Sequence, residues 1–151
     1  MMRVYSPDSI RFRINSFFVL TKPAIIRTLL ITTVPTMFVA EEGTPSLWLI
    51  IATMVGGSLA AAGANSFNMV LDADIDKKMN RTSNRPLVTG AITPKEATFF
   101  AFVLEIGAFI WLLSFVNLFS AFLAISATAF YVFVYTMWLK PKTKYNIVIG
   151  G

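Results

Sequence analysis

The stretch Leu47–Leu71, LWLIIATMVGGSLAAAGANSFNMVL, runs 25 residues without a charge and is followed directly by Asp72. A helix needs about 20 predominantly apolar residues, at 1.5 Å each, to cross the ~30 Å hydrocarbon core of a bilayer. This stretch therefore predicts a transmembrane helix that reaches the membrane interface near Asn68. Working outward, the segments 24–40, 95–116 and 119–138 are of comparable length and apolarity. The first is the shortest and holds Arg27 and Pro35; it starts too late for a cleaved signal peptide and lacks a small-residue cleavage pattern. The expected fold class is an all-α membrane protein with about four transmembrane helices. Apolar residues make up 56% of the 151, and the mean hydropathy is +0.67, above what a soluble domain of ordinary composition reaches.

The charges agree with four crossings. Arg3, Arg11, Arg13, Lys22 and Arg27 lie before or just inside the first span. Lys77, Lys78, Arg81, Arg85 and Lys95 lie between the second and third, and Lys140, Lys142 and Lys144 follow the fourth. The link at 41–46 offers only Glu41 and Glu42, and the one near Asn117 has no charge. All thirteen basic residues thus fall on one side, which the positive-inside rule assigns to the cytoplasm along with the amino terminus. The net charge of +5 is explained by this placement and calls for no nucleic acid. There is no cysteine and so no disulfide, and no histidine, the commonest proton relay and metal ligand.

Helix starts are signalled at Thr44-Pro45 and Thr93-Pro94, each a capping hydroxyl before a proline; Thr93 and Glu96 also have the spacing of a capping box. After Lys144 the tract Asn146 to Gly151 reads like the start of a fifth span, so the 151 residues are expected to be the amino-terminal part of a single transmembrane domain.

The longest polar stretch, Asp72 to Lys95, carries eight charged residues. At its start Asn68, Asp72 and Asp76 are spaced i, i+4, i+8, so on a helix they differ by only ~40° per step and stack ~6 Å apart along one face. Asn65 lies a turn earlier on nearly the same face. Asp74 points away, with Lys77 and Lys78 as its i+3 and i+4 partners. Stacked carboxylates repel unless something positive lies between them. Oxygen-only ligands suit Mg²⁺, which takes one or two carboxylates and completes its shell with water and substrate phosphate. Lys77, Lys78, Arg81 and Arg85 supply cations nearby, and metal-binding acids beside phosphate-binding bases are what a diphosphate ester needs. The plainer alternative is a solvated loop with a charge excess; against it, Asn65 and Asn68 sit just inside the bilayer, where polar groups usually face a cavity.

The pattern Asn68-x-x-x-Asp72-x-x-x-Asp76 resembles the first aspartate-rich motif of the UbiA superfamily of intramembrane prenyltransferases. The wider run from Asn68 to Pro86, with Arg81-Thr82-x-x-Arg85-Pro86, the tract Tyr135-Thr-Met-Trp-Leu-Lys140, Asn146 to Gly151 and the early Thr21-Lys22-Pro23, is similar to its protoheme IX farnesyltransferase (heme O synthase) branch. The resemblance runs from about Leu20 to the end. It implies part of a UbiA-type helical bundle around a cavity, in the inner cell membrane, that moves a farnesyl group from farnesyl diphosphate to a vinyl group of heme b (protoheme IX) and makes heme O. Asn68, Asp72 and Asp76 would hold Mg²⁺; Asp72, Asp76, Arg81 and Arg85 would be catalytic. Asn65, Asn68, Lys77, Lys140, Tyr135 and Lys22 would bind substrate, and heme A synthase would be a partner. The chain departs from the family at Ala24, where heme O synthases usually carry Arg directly after the Lys-Pro, and in ending before the family's second aspartate-rich loop.

Other residues have two readings each. Glu105, inside the third span, is a protonated or paired structural group or else part of the cavity. Tyr135 and Lys140 serve as interface anchors or as substrate contacts. Gly56, Gly57, Ala60, Ala61 and Gly63 read as a close helix-packing face. Arg85 precedes Pro86 and is biased towards extended backbone, which makes 81–85 a loop able to close over phosphate. The competing functions are a small transporter or cation channel that uses Asp72 and Asp76, and a non-catalytic remnant. Transporter sites lie near the midplane on broken helices, not at a helix exit among cations.

Overall fold

A computed structural model describes residues 10–41, 43–143, 145 and 148. Glu42, Lys144 and nearly all of the expected start of a fifth span lie outside the described residues. Four helices are long and apolar enough to cross a membrane: α2 (Pro23–Ala40), α3 (Leu47–Asp76), α4 (Pro94–Phe115) and α5 (Leu118–Lys142). They match the four expected spans, and the chain is a multi-pass membrane protein. A fifth helix, α1 (Ile10–Leu20), precedes them. Its 11 residues extend only ~16 Å, too short to span.

α1 caps the basic end of the bundle. Leu20 is fully buried with Met69, Leu87, Ile92 and Ala97, Phe17 packs on Phe100 with ring centroids 5.0 Å apart, and Arg13 pairs with Glu96 at 2.5 Å. Leu87 and Ile92 pin the segment between α3 and α4 into this core, so Arg85 sits on an anchored turn.

The capping box at Thr93 and Glu96 forms as expected. The start of α3 differs: Ser46, not Thr44, is the N-cap and accepts from the Leu49 amide at 3.2 Å. Pro45 therefore lies outside the helix. α3 also runs on to Asp76, 30 residues and ~45 Å, because nothing between Leu71 and Asp76 breaks a helix once water can solvate its outer face.

α3 and α4 make the tightest contact. Ala97, Ala101, Glu105, Ala108 and Leu112 form the buried stripe of α4. A Cβ on Gly56 would collide with the Leu112 side chain, and one on Gly63 would stand 2.6 Å from Glu105 Oε1. The small-residue surface of α3 thus divides. Gly56 and Gly63 take α4, whereas Gly57, Ala60 and Ala61 line a cavity on the other side. α5 is not a regular α-helix: Phe130–Leu139 is π-helical.

Candidate active site

At the basic end of α3, Asn65, Asn68, Asp72 and Asp76 are all 3–5% exposed, on one face. Each meets a partner from another element. The Asn65 amide donates to the Thr21 carbonyl at 2.9 Å, and Lys22 Nζ donates to Asn68 Oδ1 at 2.5 Å. The Asn68 amide nitrogen donates to Thr136 Oγ1 at 3.1 Å. Lys140 Nζ meets Asp72 Oδ2 and Arg85 Nη1 meets Asp76 Oδ2, both at 2.5 Å. The positive charge that two stacked carboxylates require is thus supplied by Lys140 from α5 and Arg85 from the turn after α3.

Lys22 joins α1 to α2 in the left-handed region, φ 51°, a conformation costing roughly 1–2 kcal/mol for a residue with a Cβ. That bend aims its side chain at α3. Burial, then the nearby Arg85 guanidinium, pull its ammonium down from 10.5 to about 8, while Asp72 pulls the other way. Three cations therefore face two carboxylates, and the site is short of negative charge.

Beside it lies an apolar cavity of about 570 Å³ between α2, α3 and α5, floored by Gly57, Ala60, Ala61 and Ala64 and rimmed by Asn65, Tyr131 and Tyr135. The two tyrosine rings stack with centroids 5.5 Å apart. A second cavity of about 490 Å³ adjoins it through Leu29, Gly57, Ala61 and Ala124, extending the apolar space along α2. A charged cluster next to an apolar slot of this size, joined to it through Asn65, suits an amphiphile with an anionic head.

The structure brings Lys22, Asn65, Asn68, Asp72, Asp76, Arg85, Tyr135 and Lys140 together. It does not bring in Lys77, which pairs with the exposed Asp74 at 3.1 Å on the outer face. Nor does it bring in Arg81, exposed on the 3₁₀ turn Asn80–Thr82 with no bond to the aspartates among the described residues. Thr136 and Tyr131 belong to the site and were not anticipated; in an α-helix Tyr131 would face away from Lys140.

The donor set fits Mg²⁺. Lys140 and Arg85 each take Oδ2, which leaves Oδ1 of Asp72 and of Asp76 as a ligand oxygen. Asn68 Oδ1 keeps one lone pair beside the Lys22 ammonium. Among the described residues no three Asp, Glu, His or Cys side chains converge, and Mg²⁺ needs only one or two carboxylates.

Residues 29–151 match the UbiA prenyltransferase family. The chain belongs to this family. UbiA relatives named protoheme IX farnesyltransferase include one from Mycobacterium sp. (strain KMS), 48% identical over 146 residues, 97% of this chain and 47% of the relative. One from Mycolicibacterium smegmatis is 49% identical, over 97% of this chain and 48% of the relative. One from Streptomyces coelicolor is 53% identical over 139 residues, 92% of this chain and 44% of the relative. The chain spans about half the length of these curated UbiA relatives. No solved structure matches it.

Proposed function

We propose that the complete protein transfers the farnesyl group of farnesyl diphosphate to a vinyl group of protoheme IX, forming heme O. The observation that carries this reading is the electrostatic imbalance of the cluster, Lys22, Arg85 and Lys140 around Asp72 and Asp76, next to an apolar cavity that begins at Asn65 on the same helix face. A diphosphate would draw Lys140 and Arg85 partly away from the carboxylates and settle among the three cations. Asp72 and Asp76, with Asn68 Oδ1 beside them, would hold Mg²⁺, which would supply Lewis-acid chemistry to offset the diphosphate's remaining charge. As the allylic C–O bond breaks, the electron pair leaves on the diphosphate oxygen, where Lys22, Arg85 and Lys140 stabilise it. The apolar walls keep water from the allylic cation until the terminal vinyl carbon attacks it; the cation this leaves on the ring-side vinyl carbon then takes up water and loses a proton, giving the hydroxyl of heme O.

By the distribution of Lys and Arg, the site faces the cytoplasm in the cell membrane, with the amino terminus inside. The same reading makes heme A synthase a partner that takes the product onward. The test is heme O formation from heme and farnesyl diphosphate with Mg²⁺, by the complete protein in membranes of cells lacking their own enzyme. Heme O that depends on the protein, and is lost in Asp72→Ala, supports the proposal. No heme O from a well-expressed, membrane-inserted protein overturns it.

A further inference from the structure

Tyr131, Tyr135, Thr136 and Lys140 all leave α5 toward α3. The tyrosines rim the cavity, Thr136 accepts from Asn68 at 3.1 Å and Lys140 meets Asp72 at 2.5 Å. A regular α-helix cannot present them together. At roughly 100° per residue, the nine residues from Tyr131 to Lys140 turn about two and a half revolutions, which puts Lys140 on the face opposite Tyr131. The backbone of Phe130–Leu139 is π-helical instead. Bonding to the fifth residue back widens the turn to roughly 4.4 residues, and nine residues then make about two full turns. The Lys140 amide donates to the Tyr135 carbonyl in this pattern.

Thr136 fastens the widened turn. Its hydroxyl donates to the Tyr131 carbonyl, five residues back, at 2.9 Å, and accepts the Asn68 amide. A threonine hydroxyl has one donor and two acceptor sites. The donor is thus spent along α5, and an acceptor reaches across to α3. Because Thr136 takes the amide nitrogen of Asn68, the Asn68 oxygen is left turned toward Lys22. Thr136 is buried, and its bond to Asn68 is closed off from water.

We infer that Thr136 is a positioning residue: it holds the π register of α5 and so keeps Lys140 over Asp72 and Asn68 turned to Lys22. The importance of the register for catalysis rests on the function proposed above; the register itself does not.

The chain contains no cysteine, so pairs introduced into it can be probed in membranes with a short bis-thiol cross-linker. Asp72→Cys with Lys140→Cys is expected to cross-link. Trp138 is the residue that α phase would bring round seven positions after Tyr131, so Asp72→Cys with Trp138→Cys should give roughly a tenth of that yield or less. The reverse order overturns the proposal without any change at Thr136. In the 72/140 pair, Thr136→Val should lower the yield about tenfold, the scale of one lost buried hydrogen-bonding group, and Thr136→Ser should restore it. Trp48→Cys with Phe115→Cys, at rings 5.6 Å apart on the far end, reports in separate chains whether the bundle has assembled. An unchanged 72/140 yield in an assembled Thr136→Val protein overturns the proposal. Thr136→Ala, which removes the same hydroxyl from a smaller side chain, gives the same reading if the valine variant fails to assemble. In the complete enzyme, Thr136→Val should raise KM for the prenyl diphosphate, and Thr136→Ser should bring it back. Register-dependent cross-linking in a protein with no prenyl transfer would sink the functional reading and leave the role of Thr136 standing.

Discussion

Asp72 and Asp76 are buried one turn apart and each gives one oxygen to a cation, whereas the Asp74 side chain between them is 91% exposed. Three acids within five residues thus have two different environments, set only by helix phase. Asp72→Ala or Asp76→Ala in the complete enzyme is expected to lower Mg²⁺-dependent turnover by about 10²-fold or more, each leaving a cation unpaired as well as removing a ligand. Asp74→Ala, which gives up one exposed pair with Lys77, should stay within about twofold, since such pairs contribute 0–1 kcal/mol. Equal losses at all three positions would show that helical phase does not explain the site. This division could be read from the sequence, because 100° per residue holds along all of α3. Lys140 could be suspected only from resemblance. Its place beside Tyr131 depends on a π turn, which no propensity or apolar period announces.

At the scale of elements, the α3–α4 contact is set by side chains that are missing. Gly63 lies against the Glu105 carboxylate, whose Oε1 accepts from Thr128 at 3.0 Å while Oε2 has no hydrogen-bond partner among the described residues. The Thr128 bond ties α4 to α5 at Glu105, which also lines an apolar cavity of about 600 Å³ with Phe67, Phe102 and Phe109, separate from the one beside Asn65. Gly63→Ala should therefore destabilise the bundle by about 1–3 kcal/mol, the usual cost of overpacking, and Glu105→Ala in the same chain should recover part of it. Gly57→Ala meets nothing within 4 Å and should leave thermal unfolding in detergent unchanged while narrowing the cavity. A destabilised Gly57 variant beside an unaffected Gly63 variant would contradict this assignment. The glycines were visible in the sequence; which of them faces a helix and which a cavity was not, since both faces favour small residues. α1 was missed for a related reason, being too short and too basic to register as a span.

For the whole molecule, the positive-inside pattern predicts orientation. Ser83→Cys should resist an impermeant thiol reagent in intact cells and Glu41→Cys should react; labelling of Ser83→Cys from outside would invert the topology. Residues 1–151 alone are expected to make no heme O, because the described residues hold a single pair of site carboxylates and α2 has no buried residue to close the cavity. Heme O above background from this chain would refute that. The length of α3 has a further consequence. With Leu47 at one face of the hydrocarbon, ~45 Å of helix outlasts it by ~15 Å, which would set the carboxylates at the level of the lipid headgroups and the cavity among the acyl chains. On the proposed function, a prenyl diphosphate already lies this way in a leaflet, so it would arrive by lateral diffusion without crossing into water. The enzyme would then respond to the two-dimensional density of its substrate. Its apparent KM in bulk units should rise in proportion as inert lipid is added, and stay constant when expressed as mole fraction.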